Sequence, residues 1–222
     1  MHVWDTSPAE AIRLQRELAA KIVPSGAPAK IGLVAGIDVS TGGADGLGHC
    51  CIVVLGFPGL EPVDESYHSG EVRYPYVPGL LSFREGPLFL RAFENLKVKP
   101  DILIFDGHGT AHPRRFGIAS HMGLWLGIPS IGCAKSRLYG TYEEPGPERG
   151  STSALLGADG ERIGTVLRTR SGVRPVFVSP GHLVGMDESV EIVLACTGKY
   201  RVPTPTRMAH IRAGEKRISS GL

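Results

Sequence analysis

The pattern of apolar and polar positions predicts an N-terminal helix followed by short strands. Residues 7–21 have apolar side chains at helical spacing, with a serine that can cap the helix and a proline at its first position. From Ile31 the pattern changes to the apolar runs IGLVAGIDVS and HCCIVVLGF, and then to a more polar stretch at 65–73. Glycine-rich turns such as TGGADGLG at 41–48 separate these runs. Three successive strands, joined as two hairpins, fit this pattern best.

The middle of the chain predicts a strand–helix–strand unit. Residues 80–96 indicate a helix that Gly86 and Pro87 must bend or restart, because proline cannot donate the helical hydrogen bond. The compact runs DILIFD and IPSIGCAK flank a helical segment at 117–126, so residues 101–134 form one such unit. Short apolar runs of this kind are typical of strands buried on both faces of a parallel sheet. The predicted fold class is therefore α/β.

The last third of the chain predicts a hairpin and two helices. Residues 161–179 alternate like a hairpin, and DESVEIVLACTGKY is typical of a helix closed by Gly198. A final helix is predicted from Thr206 onwards. No internal repeat and no long linker divides the 222 residues, of which 42% are hydrophobic. We therefore predict one domain spanning residues 1–222.

Charge and cysteine content narrow the class of protein. The first residues lack the basic and apolar regions of a signal peptide, and no apolar run reaches the roughly 18 residues that cross a membrane, so we expect a soluble, cytoplasmic protein. Four cysteines without zinc-ribbon spacing or disulfide-scaffold density indicate buried free thiols. The net charge is only +2, but residues 161–222 hold ten Lys and Arg against five Asp and Glu. That excess indicates an anionic partner or a solvated basic face.

Two aspartates end apolar strands, where ligand sites form in α/β sheets. Asp38, within GIDVS, ends the first apolar strand, and Asp106 ends the strand DILIFD. The carboxyl ends of neighbouring parallel strands converge on one side of a sheet, where ligands bind. Close carboxylates repel unless a cation lies between them, and Glu85 on the predicted helix adds a third oxygen ligand. An all-oxygen set suits Mg²⁺ or Mn²⁺ and the hydrolysis of a phosphodiester.

Each of these acids also has an ordinary structural explanation. Asp106 precedes Gly107 in a common turn dipeptide, and Asp38 could cap a turn through its side chain. Glu85 could lie on an exposed helix face. The pairing of two aspartates at strand ends, rather than any single residue, favours a metal-dependent phosphodiesterase.

The segment GHGTAHPRRFGIASH raises a zinc hypothesis through His108, His112 and His121. Their spacing matches no common zinc motif, and no cysteine lies nearby to complete a tetrahedral site. His112 beside two arginines, and His210 in the basic tail, suit a hydrogen bond or a proton transfer near a phosphate. The alternative for each is an imidazole at the surface or satisfied in the core.

Several ordered motifs run from about Ile31 to Arg212. They are GIDVS at 36–40, YPYVPGLLSFREGP at 74–87, DGHGTAHPRRFGIASHMG at 106–123, GCAKSRLYG at 132–140 and SPGHLVGMDESVEIVLACTGKYRVPTPTRMAH at 179–210. Together they resemble the endonuclease V family, whose members recognise deaminated bases, inosine above all. The resemblance implies a ribonuclease H-like fold with a mixed central sheet and helices on both faces.

The resemblance also implies a role for individual residues. The cutting residues are the metal ligands Asp38, Glu85 and Asp106, the catalytic His210 and the phosphate contact Lys135. His112 is the second predicted phosphate contact. The base-reading residues are a wedge of Pro75, Tyr76, Val77 and Pro78 and a pocket of Gly79, Leu81, Gly107, Gly109 and Ile118. The implied metal is Mg²⁺, for which Mn²⁺ can substitute. The implied cut is at the second phosphodiester bond 3′ to the lesion and leaves 3′-hydroxyl and 5′-phosphate ends.

General chemistry supports a wedge and a base pocket. Prolines stiffen the backbone, an aromatic ring replaces lost stacking, and a mispaired base costs least to extrude from a duplex. Deamination of adenine inverts the hydrogen-bond pattern on one base edge, which backbone groups at glycines can read. We expect the protein to be a monomer. Its expected partner is DNA containing deaminated bases. An inosine-specific endoribonuclease of the same fold is one alternative, and a non-cutting binding module, disfavoured by the complete acidic triad, is the other.

Overall fold

The computed structural model describes residues 2–26, 28, 30–41 and 46–219. Within these residues the chain forms five helices and eight strands. The helices are α1 (Pro8–Ala19), α2 (Leu81–Glu94), α3 (Ile118–Leu126), α4 (Met186–Ala195) and α5 (Thr204–Ser219). The strands are β1 (Leu33–Ser40), β2 (Leu47–Gly56), β3 (Pro62–Glu71), β4 (Ile102–Phe105), β5 (Ser130–Ala134), β6 (Thr152–Leu156), β7 (Arg162–Leu167) and β8 (Val176–His182).

The strands within the described residues form one mixed sheet in the order β3-β2-β1-β4-β5-β8-β7-β6. β1, β2 and β3 pair as the two predicted antiparallel hairpins. β4 runs parallel to both β1 and β5, so the predicted strand–helix–strand unit is confirmed. β7 and β8 form the predicted antiparallel hairpin. Of the predicted turn at 41–48, residues 42–45 lie outside the described residues.

Alternating strand residues bury themselves on opposite faces of the sheet. Val34 and Ile104 pack with the side chains of α4 and α5 on one face. Ala35 and Phe105 pack with α2 and α3 on the other. Each large apolar side chain buried in this way contributes roughly 1.5–3 kcal/mol. Helices therefore cover both faces, as predicted, and fix the ends of the central strands in place.

Two predicted features of the middle of the chain differ in the structure. α2 runs through Pro87 as a single helix, so it does not restart there. β6, at Thr152–Leu156, was not predicted from the sequence. It is a short outer strand, buried only at Leu155, and it is held by antiparallel pairing with β7. Its apolar residues, Ala154, Leu155 and Leu156, are consecutive, so they give no alternation that indicates a strand.

The prediction that Gly198 closes α4 is wrong. The helix ends at Ala195, and the N–H of Cys196 donates to the carbonyl of Ile192. The Thr197 hydroxyl donates to a further carbonyl of the last turn. These bonds satisfy the end of the helix before Gly198 is reached, so no left-handed glycine is needed there.

Both ends of the chain follow the sequence pattern. Ser7 caps α1 by accepting a hydrogen bond from the Glu10 N–H, and Pro8 occupies the first position of the helix. α5 begins at Thr204, slightly earlier than predicted, and residues 220–222 lie outside the described residues. No helix in the described part of the chain is long and apolar enough to cross a membrane. The four cysteines are buried free thiols, as predicted.

α5 lies directly against the backbone of β1. A Cβ on Gly36 would be 2.0 Å from the carbonyl carbon of Pro205, at the start of α5, so only glycine allows this approach. Further along the same helix, His210 reaches Asp38 at the end of β1, with 3.1 Å between Nδ1 and Oδ2. Gly36 therefore determines where His210 lies.

Gly36→Ala is expected to lower the free energy of unfolding by about 1–3 kcal/mol, because the added methyl group overpacks the contact between β1 and α5. Urea unfolding measures the change. Gly214→Ala is the matched control, since a Cβ at that position of α5 meets no atom within 4 Å. It should stabilise the protein by about 0.5–1 kcal/mol. An unchanged unfolding midpoint for Gly36→Ala would contradict the role given to this glycine.

Candidate active site

Three carboxylates line one small cavity near the carboxyl ends of the central strands β1 and β4. β1 and β4 are parallel and pair Ile37 with Phe105, so Asp38, two residues before the end of β1, and Asp106, just after β4, lie side by side. Glu85 reaches the same cavity from α2. The cavity has a volume of about 100 Å³. The structure thus brings together the three acids that the sequence singled out.

Burial and neighbouring charge raise the pKa of two of these carboxylates, Glu85 and Asp38. Burial, and then the charges of Asp38 and Asp106, raise the pKa of Glu85 to about 8. Burial, and then the charge of Asp106, raise the pKa of Asp38. Three acids in one buried cavity therefore resist simultaneous ionisation, and a cation among them would relieve that cost.

Two cationic or protonatable side chains already contact the aspartates. The Lys135 ammonium, just beyond β5, forms an ion pair with Asp106 Oδ2. His210 contacts Asp38, and its side chain is 60% exposed whereas that of Asp38 is 11% exposed. The imidazole is therefore open to solvent and contacts a largely buried carboxylate.

The donor set fits a hard divalent cation such as Mg²⁺ or Mn²⁺. All three acids supply oxygen, and the Lys135 ammonium shows that positive charge is favourable beside Asp106. Within the described residues, no three His, Cys, Asp or Glu side chains form a ready-made metal cluster. Mg²⁺ is compatible with that arrangement, because it keeps several waters and uses one or two carboxylates together with substrate phosphates.

Glu85→Gln tests the electrostatic argument through stability. The pKa of Glu85 is about 8 in the folded protein and near 4.5 without the fold, so the folded state binds the extra proton. Metal-free protein should therefore lose stability as pH rises through this window, by a few kcal/mol at most. Glu85→Gln should lose less.

Melting curves across this pH range, in chelator and in Mg²⁺, measure the effect. Mg²⁺ should raise the melting temperature of the unmodified protein at pH 8 more than that of Glu85→Gln. If the melting temperatures of the two proteins change with pH in parallel, burial and neighbouring charges do not raise the pKa of Glu85.

A larger pocket adjoins the acidic cavity. Its volume is about 420 Å³, within the roughly 300–1,000 Å³ of small-molecule sites. The predicted base-pocket residues that line it are Gly79, Leu81, Gly107 and Ile118, and the predicted wedge residues that line it are Tyr76, Val77 and Pro78. Asp106, Leu81 and Ile118 line both cavities. The pocket and the carboxylates therefore share a wall.

The wedge residues lie in the segment between β3 and α2. Tyr76 is 71% exposed, and Pro75 and Pro78 are also exposed. Two prolines limit the conformations of this segment, which presents the tyrosine ring to solvent at the mouth of the pocket. The placement agrees with a stiff aromatic projection.

Comparison with known proteins identifies the family. A sequence model of the endonuclease V family matches residues 16–211. Endonuclease V of Dehalococcoides mccartyi is 50% identical over 215 residues, which are 97% of this chain and 96% of that protein. The chain belongs to the endonuclease V family.

Solved endonuclease V structures have the same fold. The crystal structure from Streptomyces avermitilis has a TM-score of 0.92 and 42% identity, and the match covers 99% of this chain and 96% of that chain. A Ciona intestinalis endonuclease V, in complex with a 23mer DNA containing an inosine followed by a ribo-adenosine, has a TM-score of 0.86 and 29% identity, and covers 96% of this chain and 97% of that chain. The resemblance, the ribonuclease H-like fold and the enzyme class predicted from the sequence are confirmed.

One predicted base-pocket residue of this endonuclease V family member does not line the pocket. Gly109 lies against β8, where a Cβ would be 2.0 Å from the carbonyl oxygen of Pro180. Its N–H donates to the Ser179 hydroxyl at 2.9 Å. Gly109 therefore allows two backbone segments to pack closely, and the sequence could indicate the need for glycine but not the neighbour that requires it.

The structure does not support the phosphate contact predicted for His112. The side chain is 1% exposed, and burial lowers its pKa to about 3, so the ring is neutral. Its Nε2 donates to the carbonyl of Gly79 at 2.9 Å, and its Nδ1 accepts from the N–H of Arg114 at 3.1 Å. Both ring nitrogens are engaged, so His112 positions the pocket backbone.

The other histidines of this segment are also occupied by protein groups. His108 Nε2 lies 3.1 Å from the carbonyl of Ser136, and burial lowers its pKa to about 4. His121 Nδ1 lies 2.9 Å from the hydroxyl of Ser82. The three histidines make separate contacts and do not converge on one point, which argues against the zinc hypothesis.

Some pocket residues were missed by sequence reasoning. They are Gln15, Ser82, Ser136, Arg137 and Leu138. Arg137 and Leu138 belong to the motif GCAKSRLYG, which could have indicated them. The signal for Gln15 was weaker: it is an amide on the buried side of α1, four residues after Ala11.

Proposed function

We propose that this protein recognises deaminated bases, chiefly inosine, in DNA and hydrolyses the second phosphodiester bond 3′ to the lesion as a step of DNA repair. The observation that carries the proposal is the shared wall between the 420 Å³ pocket and the acidic cavity. A base held in the first would place the phosphates that follow it near the second. The inosine-containing DNA in the Ciona intestinalis relative supports the choice of lesion.

The start of α2 suits the oxygen that deamination introduces. Leu80, the N-cap residue, makes no side-chain hydrogen bond to the first turn, and Leu81 and Ser82 line the pocket. Backbone N–H groups at a helix start carry partial positive charge and favour an acceptor. Hypoxanthine offers O6 as an acceptor where adenine offers an amino donor, so this helix start favours the deaminated base.

The acidic cavity supplies the groups for hydrolysis. Asp38, Glu85 and Asp106 would hold Mg²⁺, with Mn²⁺ as a substitute, and the ion would activate a water and stabilise charge on the phosphate. Lys135 forms an ion pair with Asp106 and can also donate a charge-assisted hydrogen bond to a phosphate oxygen. His210 contacts Asp38 from the solvent side and would orient this carboxylate. The products would carry 3′-hydroxyl and 5′-phosphate ends.

Matched DNA and RNA strands, each with one inosine, test the proposal. Incubation with Mg²⁺ is expected to cut the DNA strand, and chelator to abolish cutting. Absence of metal-dependent cutting of both strands would overturn the nuclease proposal and leave a binding module. Faster cutting of the RNA strand would assign the endoribonuclease activity instead. The domain count, the cytoplasmic location and the monomeric state stay predictions.

A further inference from the structure

The amide of Gln15 is buried where the wedge segment meets the base pocket. Its side chain is 1% exposed, on a helix whose other buried residue is Ala11. Burial of an amide is costly unless its hydrogen bonds are made. An apolar residue would dock α1 with less cost, so the bonds that Gln15 makes indicate what it does.

Gln15 connects the two walls of the pocket. Its Nε2 donates to the carbonyl of Gly79 at 2.9 Å and to the carbonyl of Phe116 at 3.1 Å. Gly79 directly follows the wedge, and Phe116 precedes Gly117 and Ile118 on the opposite wall. One amide group therefore fixes the separation of two segments that are distant in sequence.

The peptide group between Gly79 and Leu80 is held at both ends. Its carbonyl oxygen accepts from Gln15 Nε2, His112 Nε2 and Arg114 Nη2, each at 2.9 Å. Its N–H, on Leu80, donates at 2.9 Å to the carbonyl of Val77, a wedge residue. A donor cluster of this size leaves the peptide plane little freedom to rotate.

Gln15 also holds the arginine that completes this cluster. Its Oε1 accepts from Arg114 Nε at 2.6 Å. One end of the amide therefore binds the Gly79 carbonyl, and the other end binds an arginine that donates to that same carbonyl. Gly79 has φ +82°, and a Cβ there would lie 2.7 Å from Arg114 Nη2. This cluster of hydrogen bonds around the Gly79 carbonyl therefore needs glycine at position 79 and an amide at position 15.

We infer that Gln15 is a positioning and specificity-determining residue, which holds the wedge in register with the base pocket so that the pocket accepts an extruded base. This inference rests on the proposed function and deepens it. It also makes α1, which precedes the sequence motifs, part of the recognition machinery.

Two substitutions separate this role from simple packing. Gln15→Glu keeps the shape and the bond to Arg114 but cannot donate to either carbonyl. Gln15→Leu keeps the packing volume and removes every polar contact, and it carries the test if the glutamate variant does not fold. Glu17→Gln is the control, because it is an exposed change on the same helix.

Binding to inosine-containing and plain duplexes in Ca²⁺ gives the main measurement. 2-Aminopurine beside the inosine reports extrusion through its fluorescence. Both Gln15 variants should lose about tenfold in preference for the inosine duplex, with plain-duplex affinity retained and a smaller fluorescence rise. Glu17→Gln should match the unmodified protein.

The outcomes separate the inference from the proposed function. Full inosine preference in both variants, whether or not their melting temperatures fall, would overturn the inference and leave Gln15 a packing residue. Equal weakening on both duplexes would do the same. An unmodified protein that shows no preference for inosine would overturn the proposed function, and the inference with it.

Discussion

Asp38→Ala is expected to reduce cutting of an inosine-containing strand by on the order of a thousandfold, because it removes one of the three carboxylates that would hold the Mg²⁺ beside the reacting phosphate. Its neighbours show why the loss should be chemical rather than structural. The Asp38 side chain is only 11% exposed, and burial and the charge of Asp106 raise its pKa, so its removal relieves repulsion. The melting temperature of metal-free Asp38→Ala should therefore not fall.

Single-turnover cleavage in Mg²⁺ and duplex binding in Ca²⁺ measure the two halves separately. Binding should remain largely intact, since the base pocket and the wedge are unchanged. Asp159→Ala is the matched control, because that acid lies exposed in the turn before β7. If Asp38→Ala loses binding as strongly as cutting, Asp38 is a structural residue.

Tyr76→Ala is expected to weaken binding to an inosine duplex by about tenfold, the loss typical of one aromatic ring stacked on a base. The tyrosine is 71% exposed, so its removal should cost the fold almost nothing. Binding to a plain duplex should change little, because the ring acts only where the strands are separated.

Tyr76→Phe is the matched control for the wedge, since it keeps the ring and removes only the hydroxyl. It should bind as the unmodified protein does. Equal weakening of inosine and plain duplexes by Tyr76→Ala would make the residue part of a general DNA-binding surface.

The sequence predicts most helices and strands of the fold because the spacing of their apolar residues indicates the type of each element. The apolar runs that end at Asp38 and Asp106 indicate buried parallel strands, and the structure pairs them. The serine and proline at the start of α1 indicate a capped helix. β6 was missed because its pairing with β7, rather than its own pattern, makes it a strand.

The site is less predictable because its details depend on contacts between distant segments. Gly109 and Gly79 look alike in the sequence, yet one packs against Pro180 and the other borders the pocket. His112 lies in a polar motif, but burial engages both of its ring nitrogens. Gln15 has no motif, and only the assembled fold shows that its amide joins two pocket walls.

The central claim is that one pocket reads the base while an adjoining acidic cavity cuts the strand beyond it. Mapping the cut at nucleotide resolution, on an end-labelled duplex with a single inosine in Mg²⁺, tests this most directly. A single cut at the second phosphodiester bond 3′ to the inosine, with a 5′-phosphate on the downstream product, is the expected result. A cut at the inosine itself, on its 5′ side, or equally often in a plain duplex would contradict the two-part site.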